Sequence, residues 1–172
     1  QSFNHDIGRA GELGMVERAD DHQHRNVELP QTRCRRWIER IAQVIDIPFA
    51  VAGGIADVEI ARSVLRAGAD KISVNSPALI RPDLLTDLAL AFGRQCVVLG
   101  IDSFRENDGR LSVKQFTGRP DAVEDARREM IGWASEAVTL GAGEIVLNCM
   151  DRDGVRDGYD IDQLSALVEA VD

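Results

Sequence analysis

The sequence predicts an α/β protein, a parallel sheet with covering helices that amounts to about half of an eight-stranded (β/α)8 barrel. Three observations carry this. Short apolar runs, too brief for helices, alternate strictly with stretches whose apolar residues recur at helical spacing. Glycines or prolines punctuate the joints between them. One run, Gln95–Asp102, ends on a carboxylate. Within it Cys96–Ile101 is continuous and partly β-branched, and reads as a strand buried on both faces. Side-chain alternation puts Cys96, Val98, Gly100 and Asp102 on one face and Val97, Leu99 and Ile101 on the other. Asp102 then lies at the C-terminal end of its strand beside the small Gly100, where parallel α/β barrels place their chemistry. An Asp in that position also serves as a turn former or a helix cap.

The elements follow in order. Ile38, Ile41, Ala42 and Ile45 form a helical stripe, Asp46-Ile47-Pro48 breaks it, and Phe49–Ala52 reads as a strand. After Gly53-Gly54, Asp57 is placed to cap a helix whose inner face is Ile60, Val64 and Ala67, closed by Gly68. Lys71–Val74 is the next strand and Asn75-Ser76-Pro77 a loop. Leu85, Leu88, Ala89 and Phe92 stripe a helix closed by Gly93, and the central strand follows. Asn107-Asp108-Gly109 signals a hairpin between that strand and Leu111–Phe116. Met130, Trp133, Ala134, Ala137 and Val138 stripe a helix closed by Gly141. Glu144–Leu147 is a strand and Asn148–Tyr159 a loop rich in Asp and Gly. Asp160 with Gln163 makes a capping box for Ile161–Val171. Four strands, beginning near Phe49, Lys71, Cys96 and Glu144, are half of what a closed barrel needs. Open sheet edges at the first and last of them are expected to favour self-association.

Residues 1–36 form an atypical, poorly patterned segment ahead of a partial barrel domain at 37–172. His5, His22, His24 and Cys34 match no standard zinc spacing, and neither a metal nor a cofactor is expected. A net charge of −9 argues against a phosphate-backbone binder, so no nucleic-acid partner is expected. No apolar run approaches membrane-spanning length, and no signal-peptide pattern opens the chain. Cys34, Cys96 and Cys149 are odd in number and far apart, the usage of a reduced, cytoplasmic protein that does not engage a membrane.

The chain also contains an internal echo. Ala67–Asn75 resembles Leu140–Asn148 at a constant offset of 73 residues, from the helix-closing Gly-Ala to the terminal Asn. Helix–strand joints commonly reuse Gly-Ala, and a duplicated half-barrel element gives the same pattern. By alternation Lys71, Ser73 and Asn75 share a face, as do Glu144, Val146 and Asn148. If both Asn residues face a ligand at one end of the barrel, Lys71 and Glu144 point inward at the other. There they must pair, as a structural ion pair or as a polar port through the floor.

Four blocks carry a family resemblance. Ile47-Pro-Phe-Ala-Val-Ala-Gly-Gly-Ile55, Gly68-Ala-Asp-Lys-Ile-Ser-Val-Asn-Ser-Pro77, Gly141-Ala-Gly-Glu-Ile-Val-Leu-Asn148 and Met150-Asp-Arg-Asp-Gly-Val-Arg-Asp-Gly-Tyr-Asp160 resemble the cyclase subunit of imidazole glycerol phosphate synthase, from histidine biosynthesis. The resemblance runs from about Trp37 to Asp172 and implies strands three to six of a TIM barrel. It implies a lyase that uses ammonia from a glutaminase partner and a phosphorylated small-molecule substrate. Asp102 matches a catalytic acid. Gly54, Asn75 and Ser76 match a phosphate grip, and Asn148, Asp153 and Gly154 match substrate-facing positions. Lys71 and Glu144 match the charged floor at the ammonia entry. The family's other catalytic Asp, on its first strand, has no match here, and Arg9–Arg36 do not resemble strand two. Strands seven and eight, with the second phosphate grip, have none either, so the chain is expected to be incomplete and weakly active or inactive. A related phosphate-binding barrel isomerase of histidine biosynthesis and a non-catalytic half-barrel binding module are the alternatives. The isomerase pattern would not predict the Lys71/Glu144 pair or the Asp151–Tyr159 loop.

Overall fold

The structure is a computed structural model that describes residues 31–171, in which the apolar runs become strands and the apolar stripes become helices. The order is α1 (Gln31–Ala42), β1 (Ala50–Ala52), α2 (Val58–Arg66), β2 (Lys71–Val74), α3 (Ser76–Ile80), α4 (Asp83–Phe92), β3 (Val97–Arg105), β4 (Leu111–Gln115), β5 (Glu124–Glu129), α5 (Met130–Leu140), β6 (Glu144–Cys149) and α6 (Ile161–Val171). The His5, His22, His24 and Cys34 grouping lies outside the described side chains.

β1, β2, β3 and β6 run parallel in that spatial order, with Ala50 opposite Lys71, Ile72 opposite Val97 and Val98 opposite Glu144. Among the described residues β1 and β6 are paired on one side only, so the sheet does not close into a barrel. The β4–β5 hairpin is antiparallel. It takes over the edge of β3 beyond β2, with Asp102 opposite Lys114 and Arg105 opposite Leu111.

The helices cover one face of this sheet. Ile72, Val74, Val97, Leu99 and Ile101 pack there with Ala61, Val64, Leu84, Leu85, Leu88, Met130, Trp133 and Ala137. On the opposite face of β3, Val98 is buried but Gly100 and Asp102 are only half-buried, and Val146 of β6 is 58% exposed. The expectation of a strand buried on both faces is therefore corrected: the second face is largely bare. Asp102 is also not the last residue of its strand. β3 begins at Val97, after a 3-10 turn at Arg94–Cys96, and continues to Arg105 because the hairpin extends it. What ends near Asp102 is the parallel pairing, at Ser103 opposite Cys149.

Local chemistry sets the element ends. Asp57 Oδ1 accepts the Ile60 N–H at 2.8 Å as the N-cap of α2. Gly68 and Gly141 adopt positive φ (109° and 118°), and an added Cβ would come within 2.5 Å of Ala42 and 2.7 Å of Ala89 respectively. Both glycines are thus required by backbone conformation and by close helix approach. The Asn107–Gly109 hairpin forms as expected, with the Glu106 N–H donating to the Arg110 carbonyl at 2.8 Å. The stretch read as a loop at Asn75-Ser76-Pro77 instead opens α3, with proline in its first turn. β5 was not foreseen, because Glu124–Glu129 has no apolar alternation and forms by pairing with β4.

Candidate active site at the C-terminal edge of the sheet

Four parallel strands bring their C-terminal ends to one edge, and the residues singled out in the sequence divide between the two edges of the sheet. Gly54 follows β1, Asn75 and Ser76 follow β2, Asp102 lies on β3, and Asn148, Asp153 and Gly154 lie at or beyond the end of β6. Lys71 and Glu144 begin their strands at the opposite edge. A strand rises about 3.3 Å per residue, so Lys71 and Asn75 lie about 13 Å apart.

Asp102 is the centre of the first group. Asn75 Nδ2 donates to its Oδ2 at 2.8 Å and Asn148 Nδ2 to its Oδ1 at 2.8 Å. Thr117 Oγ1, from the loop after β4, donates to Oδ2 as well. A carboxylate accepts about four hydrogen bonds, so three donors hold the side chain and leave it capacity on the Oδ1 side. The amides expected to face a ligand therefore grip Asp102. Among the described residues Asn75 Oδ1 is buried and has no hydrogen-bond partner.

Ser76 Oγ accepts the Phe116 N–H at 3.0 Å, so the hairpin touches this edge through two successive residues. Phe116 has φ 57°, a left-handed conformation that turns the chain toward Thr117. The base of the hairpin is fixed by Lys114, which donates to Glu106 at 2.7 Å and Asp125 at 3.2 Å and stands 5.4 Å from the Phe104 ring centre. Burial alone would lower the Lys114 pKa, but the hydrogen bonds to Glu106 and Asp125 outweigh it and hold the ammonium above its ordinary range. Lys114 also holds the Glu106 carboxyl below the usual range. Thr117 was not singled out in the sequence, since only the length and path of the hairpin bring it to Asp102.

Gly54, Asp153 and Gly154 lie on exposed loops, and among the described residues no hydrogen bond ties them to the Asp102 cluster. Gly54 and Gly154 have positive φ (68° and 76°), turns open to the approach of a ligand. The loop that carries Asp153 ends on Asp160. There the Gln163 N–H does most to hold the carboxyl below its usual range, helped by the Gln163 amide and by Arg105. The capping box is modified: the Gln163 side chain reaches the Asp160 carboxylate at 3.0 Å.

At the other edge Lys71 Nζ pairs with Glu144 Oε1, as strand parity required. The two side chains are 30% and 49% exposed, so the pair stands on the bare face and not in the buried setting expected of a barrel floor. Cys96 and Cys149 are free thiols, and among the described residues no group of three His, Cys, Asp or Glu side chains could hold a metal. No helix among them is long and apolar enough to cross a membrane.

Comparison with known proteins bears on this arrangement. The model of the family described as histidine biosynthesis protein matches residues 27–172. The chain is 64% identical over 128 residues to the imidazole glycerol phosphate synthase subunit HisF of Xanthomonas oryzae pv. oryzae, covering 74% of this chain and 50% of that protein. The same identity and coverage hold for the subunit of Xanthomonas campestris pv. campestris. With that of Xylella fastidiosa the identity is 64% over 130 residues, 76% of this chain and 51% of the relative. The chain spans about half the length of the curated relatives it matches. It belongs to the histidine biosynthesis protein family.

Proposed function

We propose that the Asp102 edge is the acid–base part of a cyclase site in an imidazole glycerol phosphate synthase. The observation that carries this reading is the clasp on Asp102, made from both flanking strands and from the hairpin. In that reaction ammonia and a phosphoribulosyl-formimino aminoimidazole carboxamide ribotide give imidazole glycerol phosphate and the aminoimidazole carboxamide ribotide. Ring closure and carbon–nitrogen cleavage both need a proton moved at a fixed position. A carboxylate held by three donors, with Oδ1 still open to a reacting group, suits that task. Gly54, Asn75 and Ser76 form one phosphate grip in this reading, and Asn148, Asp153 and Gly154 face the rest of the substrate. Lys71 and Glu144 flank the entry of ammonia from a cytoplasmic glutaminase partner docked at the opposite edge.

The test completes the barrel with the parts this chain does not span. The matching 128 residues replace their counterparts in the Xanthomonas oryzae relative, and ammonia-dependent cyclisation is measured. The chimera is expected to turn over, and Asp102→Asn to slow it by about 10²–10⁴-fold, the usual contribution of one acid–base group. An Asp102→Asn chimera within a few-fold of its parent would overturn the assignment. A folded but inactive parent would favour a non-catalytic binding module.

A further inference from the structure

Strand β3 carries a second polar face. Asp102 points to the bare side, while Ser103 points to the helix side and Arg105 follows it by the same alternation. Ser103 and Gln163 are both fully buried, at 0% and 1% exposure. A buried amide is costly unless each polar atom finds a partner, and here each does. Gln163 Oε1 accepts the Ser103 hydroxyl at 2.6 Å, Nε2 donates to Asp160 Oδ2 at 3.0 Å, and the backbone N–H donates to Asp160 Oδ1 at 3.0 Å. Arg105 Nη2 donates to Asp160 Oδ2 at 3.0 Å. At the near end of the same loop, the Met150 N–H donates to the Ser103 carbonyl at 2.9 Å. The segment between is therefore fastened at both ends to β3, while every residue from Arg152 to Tyr159 is exposed.

Capping α6 requires Asp160 alone; a buried glutamine reaching back to the central strand is not part of a cap. The Asp160 carboxylate also occupies the positive end of α6, so the loop and not the helix terminus is left to meet an anionic ligand. We infer that Gln163, Ser103 and Arg105 are positioning residues, a staple behind Asp102 that fixes the Asp153–Gly154 loop to the strand that carries the carboxylate. The inference rests on the cyclase reading only for what the loop holds; its geometry stands without it. A ligand group gripped by the loop then meets Asp102 in one register, because both hang from adjacent residues of one strand.

The experiment uses the chain itself. Gln163→Leu keeps the volume and removes the polar atoms, and Ser103→Ala removes the other half of the central bond. Trypsin cleavage after Arg152 and Arg156 is followed by mass spectrometry well below global unfolding, with cleavage after Arg110, in the β4 hairpin, as the internal control. Each variant is expected to be nicked about tenfold faster in the loop, the effect of one lost buried hydrogen bond. The Arg110 rate should be unchanged, and the double variant no faster than either single one. Unchanged loop rates, or equal acceleration at all three sites, would overturn the staple. Should both variants fail to fold, deuterium uptake in the unmodified chain decides. The Met150 and Gln163 amides should exchange as slowly as Ile101, and faster exchange defeats the proposal. In the completed barrel Gln163→Leu should raise KM about tenfold with a smaller loss in kcat, whereas a loss confined to folded fraction would indicate a structural role. If the parent barrel is inactive the cyclase reading fails, and the nicking result still stands or falls by itself.

Discussion

β2 and β6 are two versions of one design, and they differ where their surroundings differ. Both flank β3, both follow a helix closed by a positive-φ glycine packed on an alanine of another helix, and both send an Asn to Asp102. The Asp70 N–H bonds the Phe49 carbonyl and the Gly143 N–H the Val97 carbonyl, each at 3.0 Å, so the strand entries match as well. Residue type departs at that position. Asp70 uses its side chain to accept the Phe49 N–H at 2.9 Å. A Cβ on Gly143 would lie 2.1 Å from the Arg94 carbonyl oxygen. β2 also lies between two strands, whereas β6 pairs with β3 alone among the described residues. The repeated spacing fixes what the strands do at their ends, and local crowding fixes the rest.

The largest test of this pairing is catalytic. If both Asn residues serve Asp102, then Asp102→Asn in the completed barrel exceeds either Asn substitution, at about 10²–10⁴-fold. Next comes Gly143→Ala, which forces backbone against backbone and is expected to destabilise by about 1–3 kcal/mol. Chemical denaturation checks it, and a loss under about 0.5 kcal/mol would show that the entry to β6 yields easily. The two Asn residues should then separate. Asn75 is half-buried with a buried oxygen, and Asn148 is exposed. Asn75→Ala is expected to cost about 1–2 kcal/mol and Asn148→Ala under about 1 kcal/mol. Equal losses in thermal unfolding would mean that the two grips do not differ in burial as described.

Part of this was legible in the residues. The apolar runs at Lys71–Val74 and Glu144–Leu147 announced strands because helix packing needs their alternate residues buried. The offset of 73 residues carried the Lys71–Glu144 pair with it. The clasp was not legible: the order of the strands sets both Asn residues beside the Asp102 strand, but spacing does not say that their amides turn to the carboxylate and not to a ligand. Thr117 and β5 escaped for a related reason: their places depend on hairpin pairing, to which the charged run Glu124–Glu129 gives no apolar signal. The half-exposed Lys71–Glu144 pair differs from the expected buried one because the bare face leaves water beside it. An exposed pair is worth about 0–1 kcal/mol, so Lys71→Met should barely change stability. With a glutaminase partner it should reduce glutamine-driven turnover more than ammonia-driven turnover. Equal reduction in both assays would remove the entry role.

The β6 arm carries an acid-sensitive joint. Asp160 has its pKa lowered in the folded chain, first by the Gln163 N–H and then by its other partners. A lowered folded value means that its stabilising contribution is fully present above the ordinary value of about 3.9 and is lost as pH falls through the folded one. Below that range the loop base should loosen, with deuterium uptake at Gln163 rising ahead of that at Ile72 in β2. Simultaneous exchange at both would show that the joint has no separate titration.

The smallest expected effect lies on β3 itself. Gly100 sits between Asn75 and Val146 on the face that carries Asp102, and its lack of a side chain suggests a space reserved for ligand or packing. The geometry does not require it: an added Cβ would stand 3.6 Å from both Asn75 Cβ and Ser73 Oγ, ordinary van der Waals distances. Glycine in a strand interior carries an entropic penalty of about 0.5–1 kcal/mol relative to alanine. Gly100→Ala is therefore expected to leave stability unchanged or raise it by up to about 1 kcal/mol, in contrast to Gly143→Ala on the neighbouring strand. In the completed barrel the same variant separates packing from ligand space. An unaltered fold with KM raised severalfold would show that substrate lies against Gly100, and an unaltered KM would confine the site to the Asp102 row and the loops above it.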